Sequence, residues 1–154
     1  NLDLSRISEK KKTEIRKKKI GLIFQQFYLI PNYTALENVM FPMQINSIGN
    51  EKKKAGTILS DIGLAERKNN LPSELSGGEQ QRVAIARAIS FKPEIILADE
   101  PTGNLDKKNT ELVSNLLLNY SKKKKIGLII VTHNMNLAKK CDKIIKLIDG
   151  KVRL

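Results

Sequence analysis

The chain has 154 residues, 40% apolar and 29% charged, a globular composition long enough for one domain with a real core and incompatible with wholesale disorder. Its 28 Lys and Arg against 16 Asp and Glu give a formal charge of +12. The single cysteine, Cys141, excludes an intrachain disulfide framework or a multi-cysteine zinc cluster and suits a reducing compartment. Apolar runs such as residues 126–131 fall far short of the ~20 residues of a membrane span, and residues 1–8 have no signal-peptide character.

Lysine tracts at 10–12, 17–19, 52–54 and 122–125 hold much of the positive charge. A nucleic-acid surface is disfavoured. Aromatic residues make up only 5%, none interleaves with the lysines as a stacking platform, and Arg supplies six of the 28 cationic side chains. The tracts read as solvated faces and loops.

In chain order, residues 8–18 predict a short basic helix and residues 20–24 (IGLIF) a strand buried on both faces. Thr34-Ala-Leu-Glu37 is a T-x-x-E capping box that starts a helix, interrupted by Pro42 and residues 46–50. A second helix spans 51–62 and closes at Gly63, and a third runs from about Gly77 to Ser90. Residues 94–98 form an apolar strand, and 107–120 a helix with Leu112, Leu116 and Tyr120 at i, i+4 and i+8. Residues 126–131 are another fully apolar strand, 134–140 a short helix and 143–148 a further strand, with Asp149-Gly150 as a hairpin turn. Helices alternating with strands that lack period-two patterning predict an α/β parallel sheet covered on both faces, with a helical insertion at about 34–90.

Ligands of open parallel sheets sit beyond the carboxyl ends of the strands. Three predicted strands turn abruptly polar there, at Gln25, at Asp99-Glu100 and at Thr132-His133. Two adjacent carboxylates after an apolar strand are costly to desolvate unless a cation or a water substrate uses them. In Leu75-Ser-Gly-Gly-Glu79, Ser76 and Glu79 form an S-x-x-E capping box. That box does not account for Gly77 and Gly78, each worth up to about 1 kcal/mol of lost helix propensity relative to Ala. Bare amides and a hydroxyl at a helix N-terminus suit a phosphate.

These strings resemble the ATP-binding subunit of ABC transporters. Leu75-Ser-Gly-Gly-Glu-Gln-Gln-Arg82 resembles the signature motif, Ile95-Ile-Leu-Ala-Asp-Glu100 the Walker B strand with its catalytic glutamate, and Asn104-Leu-Asp106 the D-loop. His133 resembles the switch histidine and Gln25 the Q-loop glutamine. Phe24-Gln-Gln-Phe27, Thr34-Ala-Leu-Glu-Asn38, Glu79 and Asp99-Glu-Pro-Thr-Gly-Asn-Leu-Asp106 are similar to the branch serving lipoprotein release, macrolide export and antimicrobial-peptide export.

The resemblance implies a P-loop NTPase-type core, at 20–33 and 91–154, with a helical subdomain at about 34–90. It implies ATP as substrate and Mg²⁺ held by Asp99 with Gln25. Glu100 would polarise the attacking water and His133 would contact the γ-phosphate. Ser76, Gly77, Gly78 and Glu79 would meet an ATP held by a second subunit in a head-to-tail dimer, with Asp106 at the dimer contact. Asp106 is equally a good N-cap for the helix that follows. Residues 72–75 and the segment after Gln25 would face a transmembrane permease at the cytoplasmic face of the membrane.

The family's G-x-x-x-x-G-K-[ST] loop does not occur in the sequence, whose first glycine is Gly21. The chain thus reads as a partial cassette, N-terminally truncated and without the Walker A strand, with weak or no ATP binding and marginal stability by itself. The readings carried forward are an ATPase subunit of an exporter and a non-catalytic remnant that docks on a transporter or partner subunit. A soluble ATPase of translation or DNA repair is disfavoured, since neither tandem cassettes nor a long coiled coil is present.

Overall fold

The computed structural model describes residues 4–153. Helix α1 (Glu9–Lys19) is capped by Ser8, whose hydroxyl accepts from the Lys11 amide, and presents no buried side chain. It runs directly into β1 (Ile20–Ile23). Three helices follow, α2 (Ala35–Ile45), α3 (Glu51–Asp61) and α4 (Gly77–Ile89). Then come β2 (Ile95–Asp99), α5 (Lys107–Lys124), β3 (Gly127–Val131) and the single turn α6 (Met135–Ala138). β4 (Lys146–Ile148) and β5 (Lys151–Arg153) close the described chain.

Two capping boxes appear where the sequence predicts them. At α2, Thr34 accepts from the Glu37 amide while the Glu37 carboxylate accepts from the Thr34 amide at 2.7 Å. Ser76 and Glu79 repeat this at α4. Gly63 closes α3 in a left-handed conformation (φ 74).

β1, β2 and β3 form a parallel sheet in that order, with Ile20 beside Ile95 and Ile95 beside Gly127. Ile23, Ile96 and Ala98 meet Ile85, Ala88 and Ile89 of α4 and Val113 and Leu117 of α5 in one core. A second core joins Ala35, Val39 and Met43 of α2, Ala55 and Leu59 of α3, and Val83 and Ala86 of α4. α4 therefore faces both cores.

Several expectations are corrected. The strands are not buried on both faces: Leu22 is 40% exposed, and Ile129 and Val131 point the same way into solvent. The cause is that α4 and α5 share the Ile23–Ile96–Ala98 face. Pro42 does not interrupt α2, because the capping box and the buried stripe Ala35, Val39 and Met43 carry the helix through to Ile45. The buried stripe of α5 is Val113 and Leu117; Leu112 is exposed, while Leu116 and Tyr120 only flank the core. The strand expected at 143–148 shrinks to β4, which pairs antiparallel with β5 as a separate hairpin rather than joining the parallel sheet. Asp149 and Gly150 both take positive φ in its turn, which matches the strand twist.

Candidate functional site

The sheet register sets up the site. Asp99 lies beside Val131, so Glu100 and the pair Thr132-His133 leave adjacent strands at the same level. The Glu100 amide still reaches back to the Val131 carbonyl at 2.9 Å, and its φ of 42° turns the chain sharply out of the strand. A non-glycine residue held in this region is strained and persists only where its surroundings over-determine it. Here they do. Glu100 Oε2 accepts from Thr132 Oγ1 at 3.0 Å, and Oε1 from the His133 amide at 2.7 Å. His133 Nδ1 lies 2.8 Å from the same Oε1, with its ring otherwise largely exposed.

Burial pushes the Glu100 carboxyl up, but the hydrogen bonds from the His133 side chain and backbone and from Thr132 outweigh it, leaving the net pKa below the usual carboxylate value. The group is a fixed anion at neutral pH, better suited to orienting a water than to storing a proton. Asp99, at the last position of β2, is exposed beside it.

Gln25 leaves the carboxyl end of β1. Its Nε2 donates to Asn104 Oδ1 at 3.1 Å, and Asn104 Nδ2 returns a bond to the Gln25 carbonyl at 3.3 Å. This joins the segment after β1 to the turn after β2 and leaves Gln25 Oε1 available as an acceptor. Asp106 caps α5 through the Asn109 amide at 2.8 Å and holds the Asn109 carboxamide at 2.7 Å. Those bonds, backbone first, hold its carboxyl below the ordinary range.

Ser76, Gly77, Gly78 and Glu79 form the N-terminus of α4. Ser76 Oγ donates to Glu79 Oε2 at 2.8 Å and accepts from the Glu79 amide, while Arg67 Nε lies 3.3 Å from Glu79 Oε1. The Ser76 backbone and hydroxyl bonds, in that order, keep Glu79 below its usual pKa. The two glycines differ. Gly78 is buried, and a Cβ there would overlap the Asn109 carboxamide, whereas a Cβ on exposed Gly77 would meet only Phe27 Cζ at 3.8 Å. Close packing of α4 on α5 thus explains Gly78, while no close contact explains the glycine at residue 77.

A family model described as ABC transporter matches residues 1–103. The chain belongs to the ABC transporter family. The lipoprotein-releasing system ATP-binding protein LolD of Treponema denticola is 50% identical over 148 residues, covering 95% of this chain and 66% of that protein. Its counterpart in Syntrophus aciditrophicus is 46% identical over 153 residues, covering 98% and 69%. Among solved structures, a dimeric post-hydrolysis state of the ATP-binding cassette MJ0796, bound to ADP and Pi, superposes with a TM-score of 0.89 at 41% identity. It covers all of this chain and 69% of that one. The fold is accordingly the α/β fold of an ABC cassette in part, and the chain spans about two thirds of the length of these relatives.

Several residues of this ABC chain escape a reading of the sequence. Gln81, fully buried on α4, donates from Nε2 to the Pro101 carbonyl at 2.7 Å and the Phe24 carbonyl at 3.4 Å. Arg87 donates to the carbonyls of Tyr28 (2.5 Å) and Phe27 (3.0 Å). Asn38 is buried and bonded to Ile30, Tyr33 and Thr34. The available signal was a polar side chain on the apolar stripe of a predicted helix.

Proposed function

We propose that these residues belong to an ATP-binding and ATP-hydrolysing subunit that couples hydrolysis to export through a membrane permease, in the lipoprotein-release-like branch. The observation that carries this reading is the Glu100 carboxylate, gathered with Thr132 and His133 at the carboxyl ends of two adjacent parallel strands. Names of the relatives support the branch, and the ADP and Pi of the MJ0796 cassette support the nucleotide.

In this reading residues 34–90 are a helical subdomain, while 20–33 and 91–154 are the α/β core. Glu100 orients the attacking water and His133 contacts the γ-phosphate. For Mg²⁺, the Asp99 carboxylate and the free Gln25 Oε1 are hard oxygen donors. They fit an ion that takes one or two protein oxygens and completes its shell with phosphate and water. Bound there, the ion would neutralise phosphate charge. Ser76, Gly77, Gly78 and Glu79 meet the nucleotide of a second subunit in a head-to-tail dimer, and Asp106 lies at that contact. Because Ser76 Oγ donates to Glu79, it must exchange that acceptor to donate to a phosphate oxygen. The subunit sits at the cytoplasmic face of the membrane; no helix among the described residues is long and apolar enough to cross it. No nucleic acid is involved.

The test is Mg-ATP hydrolysis by these residues joined to a glycine-rich phosphate-binding segment, with and without Glu100→Gln. Turnover should fall by about 10²–10⁴-fold in the variant. An unchanged rate removes the role given to Glu100. The alternative is a non-catalytic remnant that docks on a transporter or partner subunit. Upstream coding sequence with an in-frame glycine-rich loop would decide for catalysis.

A further inference from the structure

The parallel ladder between β1 and β2 ends with Ile23 beside Ala98. Beyond it the two chains separate, one into Gln25 and the other into Glu100. The carbonyls of Phe24, directly before Gln25, and Pro101, directly after Glu100, are both met by one donor group, the Nε2 of Gln81. We infer that Gln81 is a positioning residue that sets the spacing between the Gln25 and Glu100 loops, replacing the ladder where the strands no longer pair. This rests on the roles given above to Gln25 and Glu100.

The chemistry of the side chain supports it. Gln81 is 0% exposed, in a helix whose other buried residues, among them Val83, Ala84, Ile85 and Ile89, are apolar or glycine. An apolar residue would fill this space without desolvating an amide. Its Oε1 is buried and has no partner among the described residues, so the amide is held by its two donors and not by its acceptor. With carbonyl oxygens on both sides, only the amide orientation with nitrogen facing them makes bonds. Gln81 also lies two residues beyond Glu79 on the helix that Ser76 caps. A shift of α4 against the sheet would therefore move both loops with it. The helix that presents Ser76 and Gly77 outward would in this way register the spacing of Gln25 and Glu100 inside its own subunit.

The test is amide hydrogen exchange in the full chain carrying Gln81→Met, which keeps the length of the side chain and removes both donors. Exchange at residues 24–26 and 100–104 should speed up about tenfold, while amides of α2 such as Val39 change less than about twofold. Uniform acceleration throughout the chain, or unchanged exchange in the two loops, overturns the inference. Should the Met variant not fold, Gln81→Asn keeps the amide but is one methylene shorter, and must loosen the same two loops. Failure of both variants to fold would assign Gln81 to stability alone and overturn the inference. Hydrolysis is measured alongside in the chain joined to a glycine-rich phosphate-binding segment. Absent turnover in the unaltered protein counts against the hydrolase reading, and the loop exchange still decides Gln81.

Discussion

Gly78 of α4 abuts the side chain of Asn109 on α5, so closely that a β-carbon at residue 78 would overlap the carboxamide. Asn109 has little freedom to yield, because Asp106 holds its Nδ2 at 2.7 Å and Arg82 approaches its Oδ1 at 3.4 Å. Gly78→Ala should therefore displace Asn109 from Asp106 and destabilise the chain by about 1–3 kcal/mol. Gly77→Ala, whose β-carbon would make only an ordinary contact with Phe27 Cζ at 3.8 Å, should leave stability within about 1 kcal/mol of the original or raise it. Denaturant unfolding of the two variants checks this, and equal losses at both positions would refute it. If Gly77 presents its amide to a nucleotide, its variant keeps the fold and loses hydrolysis, a separation that Gly78 cannot show.

Asn38 anchors the segment that enters α2. Its Oδ1 accepts from the Ile30 amide at 2.8 Å, and its Nδ2 donates to the carbonyls of Ile30, Tyr33 and Thr34. Asn38→Leu has similar volume but strands the Ile30 amide and the Tyr33 carbonyl, while the Ile30 and Thr34 carbonyls keep the Tyr33 and Asn38 amides, for an expected loss of about 2–4 kcal/mol. Urea unfolding with a loss below about 1 kcal/mol would show that the turn does not depend on this side chain.

Acid should unfold the chain through four carboxylates. Glu37, Glu79 and Glu100 lie below an ordinary 4.5 and Asp106 below 3.8. In Glu37 the cause is the Thr34 amide and then its hydroxyl. Each group binds a proton less tightly folded than unfolded. Its stabilisation is complete above the ordinary value and disappears as pH falls through the lowered folded value. The thermal midpoint should be level from pH 7 to about 5 and fall steadily below about 4.5. A midpoint that does not change between about pH 6 and 3.5 would show that these bonds do not persist in solution.

The 154 residues by themselves should bind Mg-ATP poorly. Glycine-rich amide nests supply most of the grip on β- and γ-phosphates, and none is encoded here. Titration calorimetry should show no saturation at micromolar nucleotide, and a Kd of about 10 μM or tighter would contradict the expectation.

Motifs made from neighbouring residues were legible in advance. The boxes Thr34/Glu37 and Ser76/Glu79, the Asp106 cap and the Asp149-Gly150 turn each depend on residues a few positions apart, and local chemistry determines them. The convergence of Glu100 with His133 was signalled only by matching polar breaks at strand ends, and register supplied the rest. What escaped were partnerships between distant segments. Gln81 reaches Phe24 across 57 positions and Arg87 reaches Tyr28 across 59, and no periodicity encodes such a pair. The faces of β1 and β3 are not legible in the sequence for a related reason. An apolar run shows that a strand can be buried on both sides, but only the placement of α4 and α5 decides which side is covered.

Because α4 contributes Val83 and Ala86 to one core and Ile85, Ala88 and Ile89 to the other, melting of either core should disturb the other. Fraying of the α2–α3 layer would expose one side of the helix on which the sheet packs. The chain should therefore lose structure in a single cooperative denaturant transition, with helix and sheet signals coinciding, although its apolar residues form two separate clusters.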